Sequence, residues 1–195
     1  IRTALEAMRA QPGIELQLVV AASALLERYG NAIDVIESAG FTINRHVYMV
    51  LEGENLVTSA KSTGLGLSEF ATTFDDLKPD VVVSIADRFE TLATAIAAAY
   101  MNIPLAHIQG GEITGSIDEK VRHAVTKLAD VHLVASEMAM ERLIRMGERP
   151  QSVHMTGCPS IDLACRALDA EPRDIETLAA GYGGVGAELD LSKDY

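Results

Sequence analysis

The chain has 195 residues, of which 48% are hydrophobic and 23% are charged, a balance typical of a globular protein and far from that of a disordered one. Sixteen basic and 28 acidic residues give a formal net charge of −12, which argues against general binding to nucleic acid or to anionic membrane surfaces. No apolar run approaches the roughly 20 residues of a membrane span, and no secretory pattern opens the chain. We therefore expect a cytoplasmic protein with neither nucleic-acid nor membrane partners.

The two cysteines, Cys158 and Cys165, lie seven positions apart without a CxxC spacing or a nearby histidine cluster. Metal sites and redox pairs normally show such a spacing. We interpret both residues as reduced structural thiols and predict no metal site.

In chain order, residues 1–9 have the pattern of an amphipathic helix, and short β-branched runs of strand length follow. The runs are residues 15–20, 80–85, 104–108, 131–134 and 153–155. Between them, residues 93–99 and 137–146 favour helices, and Ser116 with Glu119 has the spacing of a capping box before another apolar helical face. Strands that alternate with helices predict an α/β fold with a doubly wound, Rossmann-like parallel sheet.

The ends of the chain depart from this alternation. Residues 1–9 already resemble a helix where a doubly wound domain would open with a strand, so we expect residues 1–178 to form a Rossmann-like domain whose first strand is missing. Residues 179–195 are rich in glycine and poor in apolar periodicity. Since neither a strand before them nor a helix after them supports a nucleotide-binding loop, a linker or disordered segment is the better interpretation.

Polar side chains follow two of the predicted strands, where ligands bind in open parallel sheets. The segments are Ala86-Asp87-Arg88-Phe89-Glu90 and Gln109-Gly110-Gly111-Glu112, and a third polar segment spans residues 118–123. If the two strands are neighbours, Asp87 and Glu112 converge on one cleft while the glycines let backbone approach a ligand. Individually, Asp87-Arg88 could be a helix cap with a surface ion pair, Glu112 a solvated loop residue and Asp118 an ordinary first-turn acid.

Two of the histidines also have different interpretations, one in the core and one at the candidate cleft. His107 lies within an apolar strand, which favours a core residue over a catalyst. His123 stands near the start of a helix beside Arg122 and could face the same cleft as Asp118.

Three ordered motifs carry a resemblance to a known family: ADRFE at 86–90, NIPLAHIQGGEITGSIDEKVRHAVTKLAD at 102–130 and TGCPSID at 156–162. They resemble the hydrolysing UDP-N-acetylglucosamine 2-epimerases of sialic acid biosynthesis and the related enzymes of legionaminic acid pathways. The resemblance implies the N-terminal half of a two-domain, glycosyltransferase-B-like fold with the active site between the halves, and a homo-oligomer. Residues 179–195 would then be the linker towards the second domain, and this chain on its own should turn over little substrate.

The resemblance also implies a reaction that needs no cofactor or metal: loss of UDP from UDP-N-acetylglucosamine, then addition of water to give N-acetylmannosamine. By motif position, Asp87 and Asp118 are catalytic candidates, and Glu112 is a further one. The same comparison makes a set of six residues candidates for substrate binding: Arg88, Gln109, Gly110, Gly111, Arg122 and His123. Gln109 departs from the family, whose members carry glutamate or histidine there, and a neutral amide cannot exchange protons.

Other functions remain open. The substrate could instead be a UDP-2,4-diacetamido-2,4,6-trideoxy sugar, and the fold could serve as a non-catalytic module that binds nucleotide sugars. A glycosyltransferase of the same architecture fits the paired acidic motifs less well.

Overall fold

The computed structural model describes residues 1–30, 32–53, 55–85, 88, 90–115 and 117–168, so the predicted linker at 179–195 lies outside the described residues. The helices are α1 Arg2–Ala10, α2 Ala32–Ser38, α3 Leu56–Leu77, α4 Thr91–Tyr100, α5 Ile117–Leu128, α6 Glu137–Arg145 and α7 Pro159–Leu168. The strands are β1 Leu18–Ala21, β2 Ile43–Val47, β3 Val82–Ile85, β4 Leu105–Ile108, β5 Val131–Val134 and β6 Val153–Met155. In this part of the chain, no helix combines the length and apolarity that a membrane crossing requires.

The strands pair in parallel throughout the described residues. β3, β4, β5 and β6 form one sheet in that order, and β1 pairs with β2 in a second. Helices lie between successive strands of the larger sheet, because parallel neighbours need a crossover connection. The predicted α/β fold with parallel strands is confirmed, and the strands divide between two sheets.

One strand, β2, is missing from the sequence prediction. Asn44, Arg45 and His46 in its centre are exposed, and Val47 at its end is buried. A strand that buries so little lacks the apolar run by which the other strands are recognised. The first predicted strand is also displaced, since β1 begins at Leu18 rather than at residue 15.

The alanine-rich helix α4 lies at the centre of the main core. Ala93, Ala95, Ala97 and Ala98 are at most 1% exposed, and α4 contacts both α3 and α5. Gly66 of α3 packs so closely that a Cβ on it would lie 3.2 Å from the Cβ of Ala93. Small side chains on both helices therefore allow α3 and α4 to pack closely behind the sheet.

The start of α5 is fixed by Glu119. Its Oε2 atom accepts hydrogen bonds from the backbone N–H groups of Thr114 (3.1 Å) and Gly115 (2.7 Å). These bonds, that from Gly115 foremost, lower the pKa of the Glu119 carboxyl. The predicted capping partner, Ser116, lies outside the described residues.

Candidate active site

The polar segments predicted to converge follow two strands that are neighbours in the sheet. β3 and β4 pair in parallel, with Ser84 opposite His107 and Ile85 opposite Ile108. Ile85 and Ile108 therefore end their strands side by side, at the same edge of the sheet. Asp87, the first catalytic candidate, lies outside the described residues.

The chain leaves β4 in an uncommon backbone conformation. Gln109 has φ +62°, a left-handed conformation that non-glycine residues seldom adopt. Its backbone N–H donates to the carbonyl of Leu133 at 2.8 Å, which ties it to the end of β5. Its side-chain Nε2 donates to Sγ of Cys158 at 3.0 Å. Gln109 is thus held at the carboxyl edge of the sheet by both its backbone and its amide.

Gly110 and Gly111 are pressed against the protein itself. A Cβ on Gly110 would lie 3.0 Å from both Nδ1 of His107 and Oγ1 of Thr126. A Cβ on Gly111, at φ +85°, would lie 2.6 Å from the carbonyl oxygen of Ala139 and 2.5 Å from Cδ1 of Leu143. The sequence suggested glycines that make room for a ligand, but the side where their Cβ atoms would point is filled by β4, α5 and α6.

Two arginines bind the backbone of this turn. Nη1 of Arg122, which is only 5% exposed, donates to the carbonyl oxygen of Glu112 at 2.7 Å. Arg142 of α6 donates in the same way to the carbonyl oxygen of Gly111. Arg122 was predicted to contact substrate, whereas this guanidinium bond goes to backbone. The carboxylate-bearing side chain of Glu112 is exposed.

Asp118 and His123 follow on α5. Asp118 is partly buried in the first turn, near the positive end of the helix dipole, which favours a carboxylate. Nε2 of His123 lies 3.8 Å from Oε1 of Glu119. Glu112 therefore lies on the connection from β4 to α5, and Asp118 and His123 lie on α5 itself.

Cys158 is a neighbour of the turn that sequence analysis missed. It precedes α7, and the backbone N–H groups of Ser160 and Ile161 donate to its sulfur and lower the pKa of its thiol, while the charge of Glu112 opposes this shift. The sequence does contain a signal for this role. Proline is favoured at the first position of a helix, so Pro159 indicates a helix start and Cys158 before it occupies the capping position. Its thiol, partly exposed, therefore acts as a hydrogen-bond acceptor beside Gln109.

His107 is a core residue, as predicted. Its side chain is fully buried in β4, with Nδ1 at 3.2 Å from Oγ1 of Thr126. Burial, followed by the positive charges of His132 and Arg122, lowers the pKa of His107 to about 4. A neutral imidazole therefore packs against Gly110 at the start of the turn.

A cleft of about 250 Å³ opens at the ends of β1, β2 and β3 and is closed on one side by the start of α3. Oε1 of Glu90 accepts hydrogen bonds there from Nε of Arg88 at 2.9 Å and Oγ of Ser23 at 3.4 Å. Oε2 of Glu90 is buried and has no hydrogen-bond partner among the described residues. Arg88, a predicted binding residue, lines this cleft. Glu90 was not among the predicted site residues although it belongs to the ADRFE motif.

The described residues contain no group of three His, Cys, Asp or Glu side chains that could hold a metal ion. What the edge of the sheet offers is a set of carboxylate, amide and guanidinium groups. The carboxylates can transfer protons, and the amide and guanidinium groups can bind anionic or hydroxyl-rich ligands.

A sequence model of one family, described as UDP-N-acetylglucosamine 2-epimerase, matches residues 6–181. The chain belongs to this epimerase family. The resemblance found in the sequence motifs is thereby confirmed.

Curated relatives agree. The chain is 38% identical over 162 residues to a UDP-N,N'-diacetylbacillosamine 2-epimerase (hydrolyzing) of Legionella pneumophila, covering 83% of this chain and 43% of that protein. It is 36% identical over 186 residues to polysialic acid biosynthesis protein P7 of Escherichia coli, covering 95% and 47%. It is 32% identical to a UDP-N-acetylglucosamine 2-epimerase of Neisseria meningitidis, covering 78% and 40%. The chain thus spans less than half the length of these relatives, and it matches their N-terminal half.

Solved structures share the fold at lower identity. The Neisseria meningitidis UDP-GlcNAc 2-epimerase bound to UDP-GlcNAc has a TM-score of 0.74 at 20% identity, covering 86% of this chain and 46% of that one. The Methanocaldococcus jannaschii enzyme in complex with UDP-GlcNAc and UDP has a TM-score of 0.78 at 18% identity, covering 92% and 49%. These neighbours have a glycosyltransferase-B-like fold, which confirms the predicted fold class.

Proposed function

We propose that the protein to which this chain belongs is a hydrolysing UDP-N-acetylglucosamine 2-epimerase. A base removes the C2 proton while the C1–O bond breaks and UDP departs with the bonding electrons, which leaves a C1–C2 double bond. Water then adds at C1, and C2 regains a proton on the opposite face. The sum is UDP-N-acetylglucosamine plus water giving N-acetylmannosamine plus UDP.

The observation that carries this proposal is the in-register, parallel pairing of β3 and β4, whose carboxyl ends lie at one edge of the sheet and are followed in the sequence by ADRFE and QGGE. Both proton transfers need groups that change protonation state close to the sugar ring. Asp87, Glu112 and Asp118 are the proposed catalytic carboxylates. Arg88 and His123 are proposed to bind or orient the substrate, together with Gln109 as a neutral hydrogen-bonding group.

A second candidate substrate is a UDP-2,4-diacetamido-2,4,6-trideoxy sugar. It is favoured by the 38% identity to the Legionella relative, whose name gives UDP-N,N'-diacetylbacillosamine as its substrate. Both substrates would undergo the same elimination across C1–C2. They differ at C4 and C6 of the sugar, so a direct comparison of the two decides between them.

The experiment uses the full-length protein with each sugar nucleotide in deuterated water, and NMR follows UDP release and deuterium at C2. UDP together with C2-deuterated N-acetylmannosamine is the expected result. Deuterated UDP-N-acetylmannosamine without free UDP would instead indicate a non-hydrolysing epimerase. No exchange with either substrate would leave a binding module as the better description.

The carboxylates are tested by Asp87→Asn, Glu112→Gln and Asp118→Asn. Each substitution keeps the size of the side chain and removes its ability to exchange a proton, so we expect losses of about 100-fold or more in kcat. Glu141→Gln is the matched control, because Glu141 is exposed on α6 and pairs with Arg145. If one of these variants is as active as Glu141→Gln, the carboxylate that it lacks takes no part in the mechanism.

A further inference from the structure

Two consecutive carbonyl oxygens of the turn after β4 each accept a hydrogen bond from a different helix. Arg142 of α6 donates to the carbonyl of Gly111, and Arg122 of α5 donates to the carbonyl of Glu112 at 2.7 Å. These carbonyls belong to the two peptide groups that flank the Cα atom of Glu112. The two bonds therefore fix both backbone planes around that atom and, with them, the direction of its Cα–Cβ bond.

This turn needs such an anchor because Gly111 precedes Glu112. Gly111 has φ +85° and, as a glycine, can adopt either sign of φ at little cost. Ala139 and Leu143 pack against the side where its Cβ would point. A charged donor forms a stronger hydrogen bond to a carbonyl than a neutral one does, so the guanidinium of Arg142 is suited to hold this peptide.

Arg142 also differs from the other arginine of α6. Arg145 lies 3.4 Å from Glu141 on the same helix, and its side chain is 81% exposed, which is an ordinary surface ion pair. Arg142 is partly buried and instead reaches a distant backbone carbonyl at the candidate active site. The guanidinium of Arg142 is therefore oriented by its hydrogen bond to the turn rather than by a partner on α6.

We infer that Arg142, acting with Arg122, is a positioning residue that aims the carboxylate of Glu112 at the reacting sugar. This inference rests on the proposed function, in which Glu112 handles a proton. Removing the guanidinium lets the peptide between Gly111 and Glu112 rotate and lowers the fraction of molecules whose carboxylate is correctly placed. Misplacement by about 1 Å can cost on the order of 100-fold in rate, so a fall in kcat of about 10- to 100-fold with little change in KM is expected.

The test compares Arg142→Gln, Arg142→Lys and the control Arg145→Gln in the full-length protein. Arg142→Gln should lower kcat as stated, Arg142→Lys should restore part of it by keeping a charged donor, and Arg145→Gln should match the unaltered protein. In a Glu112→Gln background, Arg142→Gln should cause little further loss, because the group that it aims is already gone. Hydrogen–deuterium exchange over residues 109–113 should be faster in Arg142→Gln than in Arg145→Gln.

The inference is overturned if Arg142→Gln and Arg145→Gln exchange deuterium alike in this segment, or if Arg142→Gln costs the same factor with and without Glu112. Failure of the proposed function has a different signature, since the unaltered protein would then release no UDP from either sugar nucleotide. Thermal unfolding of each variant shows whether a loss of activity reflects unfolding instead. If Arg142→Gln does not fold, Arg142→Lys with the exchange measurement still decides the question.

Discussion

Replacing Gly111 by alanine tests whether the turn is as tightly enclosed as the structure indicates. A left-handed φ costs an alanine about 1–2 kcal/mol, and forcing a methyl group into a packed site costs about 1–3 kcal/mol more. The new Cβ would lie 2.6 Å from the carbonyl oxygen of Ala139, which belongs to the backbone of α6 and cannot turn away. We therefore expect Gly111→Ala to lower the free energy of unfolding by about 2–5 kcal/mol.

Gly147 supplies the matched control for this change. It has φ +95°, close to the φ of Gly111, but no atom lies within 4 Å of its Cβ position. Gly147→Ala should therefore cost only the conformational part, about 1–2 kcal/mol. Urea unfolding followed by far-UV circular dichroism measures both variants. Equal losses for the two would show that α6 does not enclose Gly111, and the description of the turn would be wrong.

Two further predictions concern ionisation. The pKa of His107 is about 4 in the folded protein and its ordinary value is 6.5, so between these values the unfolded chain binds a proton that the folded chain does not. The contribution of His107 to the free energy of unfolding is therefore fully present above pH 6.5 and is lost as the pH falls through this range. The free energy of unfolding should drop by about 2 kcal/mol more between pH 7 and pH 5 in the unaltered protein than in His107→Gln, and parallel pH profiles would contradict this. Because backbone N–H groups lower the pKa of the Cys158 thiol, the rate of its alkylation by iodoacetamide in a Cys165→Ser protein should reach half its maximum at a lower pH when folded than in urea. A midpoint that is higher in the folded protein would refute this.

The sequence predicted the parts of the fold that rest on periodicity. β3 to β6 are near-continuous apolar runs, so their positions and their parallel class could be inferred directly. The expectation that the segments after β3 and β4 converge follows from a general rule for parallel sheets, and the strand pairing that it requires is present. β2 could not be found in the same way, because Arg45 and His46 are exposed and interrupt the pattern.

The contacts that shape the site were harder to predict. Arg142 lies on an amphipathic helix in a pattern that any surface arginine would fit, and only the packing of α6 on Gly111 shows its role. The glycine pair suggested an open approach for a ligand, since a sequence cannot show on which side a Cβ would meet its own chain. Cys158 looked structural because its acceptor role depends on the backbone of α7 and on the distant Gln109.

Gln109 shares its left-handed backbone with three other non-glycine residues among those described: Ala22, Lys78 and Asn102. Lys78 and Asn102 end or follow helices, where this conformation is a common way to terminate a helix. Ala22 and Gln109 instead come directly after β1 and β4, at the carboxyl ends of these strands. At position 109 a glycine would remove the steric penalty of the left-handed backbone, but it would also remove the amide side chain from the edge of the sheet. A strained backbone at a non-glycine residue is typical of functional sites, where a side chain is kept for its chemistry rather than for folding.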